Sequence, residues 1–233
     1  MKSFFYLISL MIMLSCDNIK KNTSKNTNCD QPKLVNFVHP IQNYKNENTL
    51  IYSLKTNENS NIVYTKHSYR LGEDSLLYHT IRDGLGIMTD SVIFSLKEGI
   101  PELLESYTKE FDVSPDFIRT KNEGNGGIYC EFNTFESIYS YIIPTEKGDI
   151  YREYQGITSH LKYTKETFKG IEYNCAIFEA NKSMKVIYEG ITEQVNGKSI
   201  GCSCENLGEL YSIVTLENGL VITQQLIEVV EGY

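Results

Sequence analysis

The residue types that do chemistry are spread thinly over the 233 residues, which include only four histidines and no tryptophan. His67 and His79 bracket "HSYRLGEDSLLYH", at roughly matched distances from a turn expected at Leu71-Gly72-Glu73-Asp74. If the flanks are paired strands, the two imidazoles face one another across a hairpin. With Glu73 or Asp74 they would begin a two-histidine, one-carboxylate metal site. No third histidine stands near and no His-Glu-x-x-His pattern completes it, so the plainer reading is a polar sheet face, with no metal or other cofactor. His160, with Cys130 or Cys175, has the residue types of a thiol–imidazole pair, yet nothing in their spacing brings them together. "EGNGGIY" offers backbone amides around Gly124, Gly126 and Gly127, but it runs into a strand-like segment where a phosphate loop needs a helix N-terminus. No Gly-x-Ser-x-Gly elbow occurs. No catalytic set assembles from spacing alone.

The aromatic and sulfur residues give two further patterns. In "SIYSYII" Tyr139 and Tyr141 fall on one face of a strand, and Tyr151 belongs to the next. The three are a candidate binding surface, because tyrosine joins a rigid apolar ring to a polar tip. The competing role is simply to fill sheet, for which tyrosine is well suited. Of six cysteines, Cys16 has a separate reading given below, and Cys29, Cys130, Cys175, Cys202 and Cys204 make an odd number. At least one thiol is therefore unpaired or shared between chains. Cys130 and Cys175 sit in apolar runs as small buried hydrophobes, and Cys202-Ser203-Cys204 places two thiols on one strand face. One or two structural bridges are the most this pattern supports.

Those residues would be positioned mainly by strands. "TLIYSL", "NIVYTKHSYR" and "SLLYHTI" alternate at period two, and "GIMTDSVIFSL" supplies one strand or two. "GIPELLESYTKEF" breaks the pattern: Ile100, Leu103, Leu104, Tyr107 and Phe111 recur at helical spacing and Pro101 suits a first turn. One main helix is expected near residues 100–111, with a further helical turn capped at Ser114-Pro115-Asp116. Beyond it the chain reads as hairpins, with turns at Pro144–Gly148, Lys169-Gly170, Asn196-Gly197 and Asn218-Gly219. The fold class expected is α+β: a predominantly antiparallel curved sheet or open barrel built of hairpins, with one main helix.

Residues Phe4–Leu14 form an apolar run behind Lys2, too short for a bilayer and cut off by Asp17-Asn18-Ile19-Lys20-Lys21. Met13-Leu14-Ser15-Cys16 resembles the lipobox of bacterial lipoproteins. The resemblance covers residues 1–16 only, and implies a cleaved signal peptide over 1–15 and acylation of Cys16, with palmitate among the chains. Residues 16–33, rich in Asn, Lys, Thr and Ser, read as a flexible tether of about 20 Å reach, and 34–233 as a single β-rich domain. A net charge of −8 argues against nucleic acid. The function expected is that of a membrane-anchored cell-envelope protein, more a binding or interaction module than an enzyme. Its partner would be a protein such as a toxin, or a small apolar ligand. The rival from another class is an envelope hydrolase, with His67, His79 and His160 as first suspects.

Overall fold

A computed structural model of the chain describes residues 33–38, 48–97, 100–110, 116–124 and 134–231. The signal segment, Cys16, the tether as far as residue 32, Cys29, Cys130, the expected cap at Ser114-Pro115 and most of the glycine-rich loop lie outside these residues. The described chain is almost wholly β. A four-residue helix, α1 (Val35–Val38), precedes β1 (Asn48–Thr56), β2 (Val63–Leu71), β3 (Leu76–Asp83), β4 (Met88–Lys97), β5 (Ile100–Lys109), β6 (Phe117–Arg119) and β7 (Lys121–Gly124). Then come β8 (Thr134–Ile143), β9 (Ile150–Phe168), β10 (Ile171–Tyr188), β11 (Ile191–Cys204), β12 (Gly208–Leu216) and β13 (Val221–Glu231).

All thirteen strands belong to one antiparallel sheet, in the order β6-β5-β4-β3-β2-β1-β13-β12-β11-β10-β9-β8-β7. Its two edge strands are successive pieces of one stretch of chain, 117–124. Phe117–Arg119 pairs with Lys109–Tyr107 of β5, and Lys121–Gly124 pairs with Ser140–Ser137 of β8. Thr120 joins the pieces, its amide donating to Ser106 O at 2.9 Å and its hydroxyl bonded to Ser106 Oγ. One segment therefore stitches the sheet's two ends together and leaves a nearly closed barrel with little exposed edge.

The sequence dictates which side faces in. Along β8 the burial alternates, with Phe135, Ser137, Tyr139, Tyr141 and Ile143 inward. The hydrophobic interior comes from Leu77, Val92, Phe94, Leu103, Tyr139, Tyr141, Tyr154 and Phe178, and Leu34 and Phe37 at α1 join it. A second cluster gathers Leu50, Tyr52, Leu226 and the cysteines of β10 and β11.

Two sequence expectations are corrected. Residues 100–109 are strand, not helix. A β-bulge at Leu104, where Ile93 pairs with Glu105 and Phe94 with Leu103, turns Pro101, Leu103, Ser106, Thr108 and Glu110 inward. The bulge shifts the alternation by one residue midway, which makes a strand's apolar spacing look helical. Asn196-Gly197 is not a turn. It lies inside β11, and the hairpin to β10 turns at Glu189-Gly190, both with positive φ (49° and 77°). Lys169-Gly170 (49° and 82°) makes the same turn between β9 and β10, as a type I′ hairpin demands. Turns at Leu216–Leu220 and Thr145–Gly148 fall where the sequence placed them.

Candidate functional site

A partly open cavity of about 120 Å³ lies within the barrel, comparable to the ~150 Å³ apolar void that takes up a benzene ring. Six aromatic residues line it: Tyr69, Phe94, Phe135, Tyr139, Tyr154 and Phe178. Polar and small residues line it as well: Lys182 from β10, Glu209 and Ser212 from β12, and Ser199, Gly201 and Ser203 from β11.

Each polar group reaches the interior by a local device. Lys182 follows Phe178 and Ala180 on the inward face of β10, and its cross-strand neighbours, Gly156 of β9 and Gly197 of β11, are both glycine. A Cβ on Gly156 would stand 3.0 Å from Ser137 Oγ, and one on Gly197 would stand 2.8 Å from Leu216 Cδ2. Glu209 is turned inward by a bulge at Leu210, where Cys202 pairs with Tyr211 and Ser203 with Glu209. Glu209 Oε1 accepts from Ser212 Oγ at 3.0 Å and Gln224 Nε2 at 2.9 Å, while Tyr52 donates to the Glu209 carbonyl at 2.9 Å. Burial lowers the Lys182 amine and raises the Glu209 carboxyl, each toward its neutral form, and their mutual attraction only partly opposes this. The surface Lys182 keeps borders the cavity and an adjoining groove formed with Asn181, Gln194, Asn196 and Glu217.

A second polar cluster lies near the barrel seam. Arg152 Nη1 meets Glu110 Oε1 at 2.8 Å, Tyr141 donates to the same oxygen at 2.5 Å, and both partners of the ion pair are nearly buried. Burial holds the Tyr141 and Tyr154 hydroxyls well above the usual phenol range. Asp90, hydrogen-bonded by Thr89 at 2.7 Å, is pushed up to about 7 by burial, with nearby Glu110 adding to the shift.

The sequence candidates are only partly brought together. His67 and His79 are diagonal neighbours on β2 and β3, 5.6 Å between ring centroids, and both are buried. The carboxylates do not join them: Asp74 stays in the exposed turn, accepting from Tyr78 at 2.8 Å. His67 bonds Thr65 and lies against Tyr52, while His79 stacks on Tyr69 at 4.2 Å and borders the cavity. Burial first, and His79 second, hold His67 well below the usual imidazole range. His160 packs against Tyr163 and Phe178. Tyr139 and Tyr141 do share a face, but it is the inner one, where Tyr139 stacks on Tyr154 at 4.5 Å. Tyr151 points to the other side and donates to Glu153 at 2.7 Å. The three tyrosines therefore form no common outer surface.

Cys175 and Cys204, directly opposed on β10 and β11, are joined as a disulfide, and Cys202 stays a buried thiol pushed up to about 12 by burial. These three are the one sulfur cluster with metal-ligand spacing among the described residues, but two of its members are spent in the bridge. Sequence reasoning missed Lys182, Glu209, Glu110 and Arg152. The signal present was weak: a lysine between Ala180 and Met184 at an inward period, and a Gly-Glu at the start of a strand.

The architecture is that of a single antiparallel sheet rolled into a nearly closed barrel around a partly polar interior. Solved structures share it. The chain aligns over 78% of its length with 95% of an exported protein from Bacteroides fragilis, described as "putative" and as having a YmcC-like fold, at TM-score 0.50 and 10% identity. It aligns over 86% of its length with the whole of a "putative lipoprotein" from Parabacteroides distasonis, at TM-score 0.50 and 12% identity. At these identities the likeness is one of fold. No family model matches the chain, and no curated protein matches it. Among the described residues no helix is long and apolar enough to cross a membrane.

Proposed function

We propose that the chain is a lipid-anchored envelope protein, acylated at Cys16 and tethered by residues 16–33, whose barrel takes up a small ring-bearing ligand. The observation that carries the binding reading is the cavity, lined by aromatic rings together with Lys182 and Glu209. Small antiparallel barrels hold one ligand in this way, and an apolar wall with a few convergent polar groups is how such sites combine affinity with orientation. The lipobox-like Met13–Cys16 supports the anchor, as does the likeness in fold to a protein named as a lipoprotein. Among protein partners and small ligands, the geometry favours the ligand, because Tyr139 and Tyr141 are spent inside the barrel.

Calorimetric titration with benzyl alcohol tests the binding reading. Wild type should give a saturable isotherm, and Ala180→Leu, which puts bulk into the cavity from a buried lining position, should abolish it while the far-ultraviolet spectrum stays unchanged. An isotherm unaltered by the filled cavity would overturn the reading. For the anchor, Cys16→Ala should move the protein from the membrane pellet to the soluble fraction of its host.

A further inference from the structure

The proposed cavity has a chemical asymmetry that simple uptake of a ring does not use. Lys182 and Glu209 both line it, together with six aromatic rings. An amine and a carboxyl lining one cavity are the groups that carbonyl condensation needs: a nucleophilic nitrogen and an acid to remove water. Resting on the reading of the cavity as a ring-binding site, we propose that Lys182 Nζ captures small aromatic aldehydes as an imine, with Glu209 as the proton donor and acceptor.

Three observations support the assignment. Lys182 is reachable, since glycine occupies the paired positions on both sides and its side chain borders both the cavity and the outer groove with Asn181 and Gln194. Glu209 is fixed, because Ser212 and Gln224 both donate to one carboxyl oxygen and the Tyr52 hydroxyl holds its carbonyl. Finally, burial biases both groups toward the neutral forms the chemistry uses, amine and acid.

The step balances without an oxidant or reductant. The Nζ lone pair attacks the aldehyde carbon, and a proton moves from nitrogen to oxygen to give a carbinolamine. Glu209 protonates the hydroxyl, the C–O bond breaks, water leaves and the C=N bond forms. The carboxylate left behind pairs with the iminium or takes its proton back. The aromatic lining receives the aldehyde's ring and excludes the water that would reverse the reaction.

The test uses benzaldehyde with sodium cyanoborohydride, which reduces an imine to a stable benzylamine, followed by peptide mass mapping. The expected result is one benzyl group on Lys182, at least tenfold ahead of the exposed Lys66, Lys162 and Lys165. Lys182→Met should lose this adduct. Glu209→Gln should slow its formation by an order of magnitude or more. Labelling spread over the exposed lysines with Lys182 no faster than they are would overturn the proposal. So would an unchanged rate in Glu209→Gln. Benzyl alcohol titrated into the same samples separates the two readings: binding without the Lys182 adduct sinks the imine alone, and no binding sinks the cavity reading beneath it. Circular dichroism of each variant shows whether it folds, and the lysine comparison within the wild type needs no variant at all.

Discussion

The barrel's interior is lined by two acid–base pairs, and they are built differently. Glu110 and Arg152 touch at 2.8 Å, and Tyr141 donates to the same carboxyl oxygen. That pair is locked by direct contact and sits beside the seam where one segment joins β5 to β8. Lys182 and Glu209 are coupled by charge, but Glu209 gives its oxygen to Ser212 and Gln224, and both members border a cavity. The first arrangement spends its polar groups on one another. The second borders a space a ligand can enter, and it carries the binding hypothesis for that reason.

Breaking each pair should separate the two roles. Removing one partner from a sealed ion pair leaves an uncompensated buried charge, so Glu110→Ala should cost ~3–5 kcal/mol in denaturant unfolding. Replacing both cavity members together, as in Lys182→Met with Glu209→Gln, should cost far less or stabilise the fold, because it removes two desolvated groups at once. A double variant as damaging as Glu110→Ala would show that the cavity pair is structural.

Asp90 sharpens the same contrast through pH. Its folded-state value lies near 7 against an ordinary 3.8, so the folded chain holds this proton more tightly than the unfolded one. The contribution is present below about pH 4 and lost as pH rises through about 7, a change of up to about 4 kcal/mol. Asp90→Asn should flatten this part of the stability profile. Unfolding curves at pH 5 and pH 8 measure it, and an equal fall in both proteins would contradict the assignment. Replacing Cys175 and Cys204 with alanine opens a bridge with a sequence separation of 29 residues and should cost ~2–4 kcal/mol. Aldehyde capture at Lys182 should be preserved in that variant if the site and the staple are separate. The smallest effect expected is at the hairpin turn: Gly170→Ala, at φ +82°, should cost ~1 kcal/mol and leave ligand binding untouched.

How much of this was legible in the sequence depends on where alternation ran unbroken. β8 keeps strict period two along its length, and the β12–β13 hairpin at Asn218-Gly219 could be read directly. β5 could not, because its bulge and its buried Ser106, Thr108 and Glu110 hide a strand under apolar spacing that looks helical. Tertiary pairing on both sides, with β4 and β6, overrides the local preference. The Asn196-Gly197 pair misleads for the opposite reason: a strong turn signal lies in mid-strand, where glycine is needed because a Cβ would strike Leu216 and Thr215 O. The hairpin that does form uses Glu189-Gly190, a weaker signal. The candidate site was the least legible part. Lys182 and Glu209 stand 27 positions apart, on strands separated by β11, and only the curl of the sheet and the bulge at Leu210 aim them into one space.

The most direct test of the cavity's role is a set of intermolecular nuclear Overhauser effects between the ring protons of bound benzyl alcohol and the protein. The account predicts contacts to the Ala180 methyl and to the rings of Phe178 and Tyr139, which line the interior. Contacts confined to outward residues such as Ile142, Ile200 and Ile213, all exposed on the barrel's outer face, would contradict it.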